Sequence, residues 1–309
     1  MATAAPVQPA APQRGIWALL ARHPLTFYFI IAFAGTWLTE LPYVLSKHGA
    51  GILQFSSPML TLLIWTSPVS VFMGPFLAAF VMTGATEGRA GIGRFLRRFV
   101  LWRVGFRWYL FAFLGVPVIC VLSVVFIPGV LGSFKGLGAL APLSLLGVFV
   151  YVLFLGGALG EEPGWRGFAL PRLQSLHGPL LGTLILGPLW ALWHLPLFLT
   201  PWNELTFFNV VVFVLATTCF AIMYTWVFNN TKGSVLMAIL LHASFNASVT
   251  GILAPLFPAH ILEDYGLLPL LGGFGVFAVV LVALTRGRLG YRPEADAALT
   301  DATAAPRVR

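Results

Sequence analysis

Runs of about twenty residues almost free of charge recur along this chain, and a helix of ~20 apolar residues is what crosses the ~30 Å hydrocarbon core of a bilayer. Hydrocarbon offers the backbone no hydrogen-bond partners, so each run must satisfy its own N–H and C=O groups and fold as a helix. The expected spans lie near 24–46, 59–83, 108–131, 141–167, 181–200, 205–229, 233–256 and 265–285. Of 309 residues, 59% are hydrophobic and only 9% charged, and the mean hydropathy is +0.90, which excludes a soluble globular domain. The expectation is an all-α polytopic membrane protein with a bundle of about eight transmembrane helices.

Basic residues orient the bundle. With both termini cytoplasmic, all eighteen Lys and Arg except Lys47 and Lys135 fall on the inner side, as the positive-inside rule requires of an even number of spans. The net charge of +8 therefore reflects orientation and not a nucleic-acid partner; the partner it implies is the lipid bilayer. Residues 1–22 and 287–309 read as disordered cytoplasmic tails around a transmembrane domain at 23–286, and Met1–Gln13 lacks the basic and apolar regions of a signal peptide. Between Glu87 and Arg107, apolar Phe95, Leu96 and Phe99 alternate with arginines, which suits a helix in the headgroup layer or a solvated loop. Cys120 and Cys219 lie in apolar runs and read as free thiols.

Ionisable residues inside a membrane are costly and mark function by default. Seven of the ten carboxylates lie in loops or tails, leaving Glu40, Glu161 and Glu162; Glu40 reads as a near-interface residue at the outer end of the first span, with a place in the lining of a cavity as the alternative. Of six histidines, only His194 and His242 fall within spans. Residues four apart share a helix face. That spacing pairs Glu162 with Arg166 on the fourth span, Trp190 with His194 on the fifth, and His242 with Asn246 on the seventh.

Three such faces support hydrolysis: a glutamate takes a proton from water, a histidine orients that water, and a neutral His–Asn pair donates to a developing oxyanion. Glu161, His194 and His242 also make a plausible zinc ligand set, although no His-Glu-x-x-His helix is present. Zinc and a metal-free glutamate mechanism stand equal at this point. A transporter relaying ions through the same groups is the alternative, and the inverted repeats that would favour it are not visible. Depth sets a condition. Glu161 meets His194 only if its helix continues past Arg166 and the segment from Pro171 to about Thr183 runs along the interface.

The ordered set Glu-Glu-x-x-x-Arg, aromatic-x-x-x-His and His-x-x-x-Asn, spanning 156–246, resembles the CAAX prenyl protease type II and bacteriocin-immunity (Abi, CPBP) family of intramembrane endopeptidases. The resemblance implies an eight-helix bundle with a cavity opening toward the cytoplasm. It also implies that Glu161 and His194 activate water, that His242 and Asn246 stabilise the oxyanion, and that Glu162 and Arg166 organise the site or contact substrate. The implied partner is a peptide or protein substrate at the membrane, lipidated or not, and the expected location is a bacterial plasma membrane. Family members are labelled metalloproteases, while a metal-independent glutamate mechanism has also been proposed for them. Trp190 stands where the family pattern has Phe, an exchange expected to reshape the pocket wall without removing chemistry.

Overall fold

The computed structural model describes residues 15–294. Among them, regular structure is helical throughout, apart from one isolated bridge between Ser46 and Leu53. In chain order the helices are α1 (Ile16–Arg22), α2 (Pro24–Leu45), α3 (Ser57–Thr66), α4 (Leu77–Arg97), α5 (Phe106–Val124), α6 (Pro142–Phe154), α7 (158–177), α8 (Pro179–Trp193), α9 (Phe207–Asn230), α10 (Val235–Leu256) and α11 (Leu268–Thr285), with a short helix Ala259–Tyr265 before α11. Ile16–Arg22 lies within the segment read as a tail, yet it is helical and packs on α4. Met1 to Arg14 and the residues beyond Glu294 lie outside the described region.

Among the described residues, seven helical segments are long and apolar enough to cross a membrane. The second expected span, 59–83, is not among them and is helical in pieces: α3, a 3-10 turn and a π-helical turn at Phe72–Phe76 precede α4, with Pro75 inside the π turn. The helix breaks at Gly74 (φ −98°, ψ −107°), directly before Pro75, whose ring disfavours the α conformation in the residue that precedes it. Burial separates centre from rim. In α9 and α10, 61% of the apolar window is buried, against 22% in α11, so the first two form the middle of the bundle and α11 faces lipid.

The fourth span is where the structure departs most from a simple rod. Residues 142–177 are too long for one crossing, at about 54 Å for 36 helical residues. The helix breaks at Leu155–Gly157, where Gly157 adopts φ 100°, a conformation that side-chain-bearing residues rarely take. α7 then starts afresh and runs past Arg166 to His177, meeting the first half of the depth condition. Residues 171–177 complete α7, Gly178 turns at φ 76°, and α8 begins at Pro179 and packs back on α7. Glu161 lies sixteen residues before His177 and His194 fifteen after Pro179, so both sit about 22–24 Å from the shared turn.

Arginines from the basic segment lock this arrangement. Pro171 has no N–H for the carbonyl of Gly167, and Arg98 Nη1 donates to that oxygen at 2.8 Å. The same guanidinium donates to Gly233 O (2.9 Å) and Arg166 O (3.3 Å), tying α7 to the start of α10. Glu87 accepts from Arg172 on α7 (2.6 Å) and Arg94 (2.7 Å). The first part of the basic segment is helical to Arg97; Phe95 and Arg98 are buried against the bundle, while Arg89, Arg97, Arg103 and Arg107 are exposed. α1 and the residues after α11, held by Asn229 Nδ2 donating to Leu289 O, lie at this same end. The polar site described next lies in the opposite half of the bundle, where α7 begins and α8 ends.

Candidate active site

Glu161 occupies the first turn of α7, and this position follows from the break before it. Its N–H donates to Gly157 O at 2.8 Å, and a Cβ on Gly157 would collide with the Glu161 carboxylate. Gly160 and Gly164 bring the next turns against Val71, Pro75 and Tyr28, where a Cβ has no room. Gly160 and Gly164 form a close-contact pair at a spacing familiar from membrane helices, and Gly273 makes a similar approach to Ser123, whereas Gly157 serves backbone conformation.

The adjacent glutamates have different surroundings. Glu161 Oε2 accepts from the indole N–H of Trp190 at 2.6 Å and of Trp165 at 3.3 Å, with no cation bonded to it. Glu162 is fully buried, and its Oε1 accepts from Arg166 Nη1 (2.9 Å) and His242 Nδ1 (2.8 Å). The Arg166 guanidinium lies between the faces of Trp190 (4.1 Å) and Tyr224 (4.3 Å), so aromatic rings cover what would otherwise be a charge exposed to hydrocarbon. A buried pair with such support stays put, and it anchors His242 from behind.

The two histidines are oriented by their Nδ1 partners. His194 Nδ1 is 2.9 Å from Trp190 O, and a carbonyl only accepts, so Nδ1 carries the hydrogen and Nε2 of the neutral ring is a lone pair. Trp202 stacks on this ring at 5.8 Å and Trp193 meets it edge-on at 4.6 Å. Trp193 also tethers α8 to α2, accepting from Trp37 Nε1 (2.8 Å) and donating to Ala32 O (3.3 Å). The Glu162 carboxylate likewise selects Nδ1–H on His242. A neutral His242 therefore has no donor left at Nε2, and the oxyanion role read from the sequence requires its doubly protonated form. Asn246 Nδ2 donates to Gly156 O over 3.3 Å, a long bond that is easily exchanged.

Glu161, Trp190, His194, His242 and Asn246 all line one cavity of about 600 Å³, within the ~300–1,000 Å³ range of small-ligand sites. Glu162 and Arg166 stand behind its wall. Glu40, for which the sequence left a near-interface and a cavity-lining place open, lines the same cavity and is 5% exposed. Trp165 was also missed, although its spacing from Glu161 is the same four residues that identified Glu162 and Arg166. Among the described residues no three His, Cys, Asp or Glu side chains are gathered into a metal-holding group. Glu161, His194 and His242 share the cavity without being drawn into such a group. Cys120 and Cys219 are free thiols.

Trp190 does more than shape the wall. Its indole holds the Glu161 carboxylate, a contact that phenylalanine cannot make. Trp190→Phe is expected to keep the fold and lower kcat by about tenfold, the scale of one hydrogen bond to a charged group. Initial-rate kinetics on a cleaved peptide check this, and an unchanged kcat would show that Trp165 alone holds the carboxylate.

A multi-pass helical protein with a glutamate, two histidines and an asparagine facing one intramembrane cavity has the makings of a membrane-embedded hydrolase. Residues 142–248 match the family described as Type II CAAX prenyl endopeptidase Rce1-like. The chain is also 29% identical, over 183 residues, to a curated protein named CAAX prenyl protease 2 from Methanococcus maripaludis, an alignment covering 56% of this chain and 68% of that relative. The 142–248 region is thus similar to the CAAX-protease family, and the chain is a peptidase with membrane-spanning helices.

Proposed function

We propose that this peptidase cleaves a membrane-associated peptide with Glu161 as general base and His194 as the group that orients the attacking water. The observation that carries the reading is the convergence of Glu161, His194, His242 and Asn246, from three helices, on one cavity. Glu161 bonds only to indole N–H groups and is free of a cation, so it can take a proton from water. His194 accepts from that water at Nε2. Attack on the peptide carbonyl places negative charge on its oxygen, towards which Asn246 Nδ2 and the imidazolium of His242 donate. The proton taken by Glu161 passes to the amide nitrogen as the C–N bond breaks. Glu162 and Arg166 position His242 and do not contact the reacting atoms. The protein operates in a bacterial plasma membrane, an assignment supported by its Ala-, Gly- and Arg-rich composition.

Apolar walls such as Leu155, Phe213 and Phe245 suit a substrate with apolar residues beside the scissile bond. The relative's name points to prenylated C-terminal peptides, which makes the lipid group the variable to test. Purified wild type and Glu161→Ala, in detergent, are assayed on fluorogenic peptides with and without a prenylated cysteine. Cleavage by wild type alone is expected, and equal cleavage by both proteins would remove Glu161 from the mechanism. A chelator arm is read in parallel: unchanged activity supports water activation by the protein's own groups, whereas loss restored by zinc would reassign Glu161, His194 and His242 as ligands.

A further inference from the structure

Glu40 lies on α2, well outside the 142–248 region, yet it faces the same cavity as Glu161. Its Oε1 accepts from Ser70 Oγ at 2.8 Å, and Ser70 is itself held by Thr36 Oγ1 donating to its carbonyl at 3.1 Å. Glu40 is 5% exposed, and its Oε2 has no hydrogen-bond partner among the described residues. Buried acceptors without partners are rare because leaving one unmade is costly. Among the described residues lining the cavity there is no Lys or Arg, and its acidic groups are the carboxyls of Glu40 and Glu161. This surface attracts nitrogen donors and cations.

Peptide hydrolysis brings such a group. As the C–N bond breaks, the nitrogen receives a proton and leaves as an amine, while the acyl side leaves as a carboxylic acid. Resting on the peptidase reading above, we propose that Glu40, oriented by Ser70, is a subsite for a cationic nitrogen of the peptide. That nitrogen is either the amino group of the departing fragment or a basic side chain beside the scissile bond. Glu40 does not act on the water or the carbonyl; it binds the nitrogen side of the substrate and sets specificity there.

Trp193 and Trp202 line the cavity, so tryptophan fluorescence of the full-length protein in detergent reports occupancy. Three short apolar peptides serve as probes: one with a free amino terminus, one N-acetylated, and one N-acetylated with a lysine. Wild type is expected to bind at least one cationic probe about tenfold more tightly than the neutral one, as one charge-assisted contact provides. Preference for the free terminus identifies the departing amine, and preference for lysine identifies a basic side chain. Glu40→Gln should bind all three alike, and Ser70→Ala, which keeps the carboxyl but frees its orientation, should show a reduced preference. Equal binding of the three probes by wild type, no saturable binding of any, or a preference retained in Glu40→Gln would each overturn the proposal. Because binding is read without turnover, failure of the peptidase reading appears separately, as absence of cleavage by wild type while the probe preference persists.

Discussion

Glu161→Gln is expected to lower kcat by about 10³-fold while leaving the protein folded, since a positioned general base contributes roughly 10²–10⁴. The substitution is close to isosteric, and the amide oxygen of glutamine can still accept from Trp190 and Trp165, so the contacts that hold the side chain at the break in the fourth span persist. What disappears is the ability to take a proton. Single-turnover kinetics on the best peptide, with a thermal melt of the detergent-solubilised protein beside it, separate the two effects. A loss smaller than about tenfold would hand the base role to His194, whose Nε2 lone pair faces the same cavity.

Arg166→Met should cost about 3–5 kcal/mol of stability, the penalty for leaving a buried charge without its partner. Glu162 has no route to water at this position, and His242 would be its one remaining bonded partner among the described residues. Activity should fall as well, because an unanchored Glu162 no longer fixes the tautomer of His242. The double substitution Glu162→Gln with Arg166→Met removes both charges and should recover a large part of the lost stability, since replacing a buried ion pair by neutral groups is often near neutral. Denaturant melts of wild type, both single variants and the double variant make the cycle. If the double variant loses as much as the two single variants combined, the pair is not coupled and the assignment of Arg166 as the partner that neutralises Glu162 fails.

These two outcomes probe positions of different legibility. Glu162 and Arg166 pair along one helix, and four-residue spacing is enough to read that contact from the chain. Trp165 on Glu161 obeys the same rule. Trp190 on Glu161 and His242 on Glu162 join residues 29 and 80 positions apart, and helical periodicity says nothing about such pairs. The motif resemblance grouped these residues, but not which atom binds which. Hence a neutral His–Asn donor pair looked possible until the Glu162 carboxylate was seen on Nδ1, and the tryptophan at position 190 looked like wall until its N–H was seen on the carboxylate.

The chain alone did not settle the places of Arg98 and Glu40, for a related reason. An arginine among arginines reads as solvated, but the carbonyl that Pro171 leaves unpaired gives Arg98 a buried partner. A carboxylate near a span end reads as interfacial, but the cavity reaches it because the fourth span breaks at Gly157 and the fifth ends at His194, both in the half of the bundle remote from the termini.

The sequence by itself determined that this chain crosses a membrane many times as helices, which faces of those helices carry polar groups, and which of its neighbours on one helix touch. These follow from hydrocarbon's refusal to solvate backbone or charge and from the fixed repeat of the α-helix. The tertiary structure decided where the helices break, at what depth Glu161 meets His194, which partner sets each histidine's tautomer, and that Glu40 belongs to the cavity. Those depend on how closely separate backbones approach, through Gly160, Gly164 and Gly182, and on how carbonyls freed by proline are satisfied. Neither is a property of any single segment of the chain.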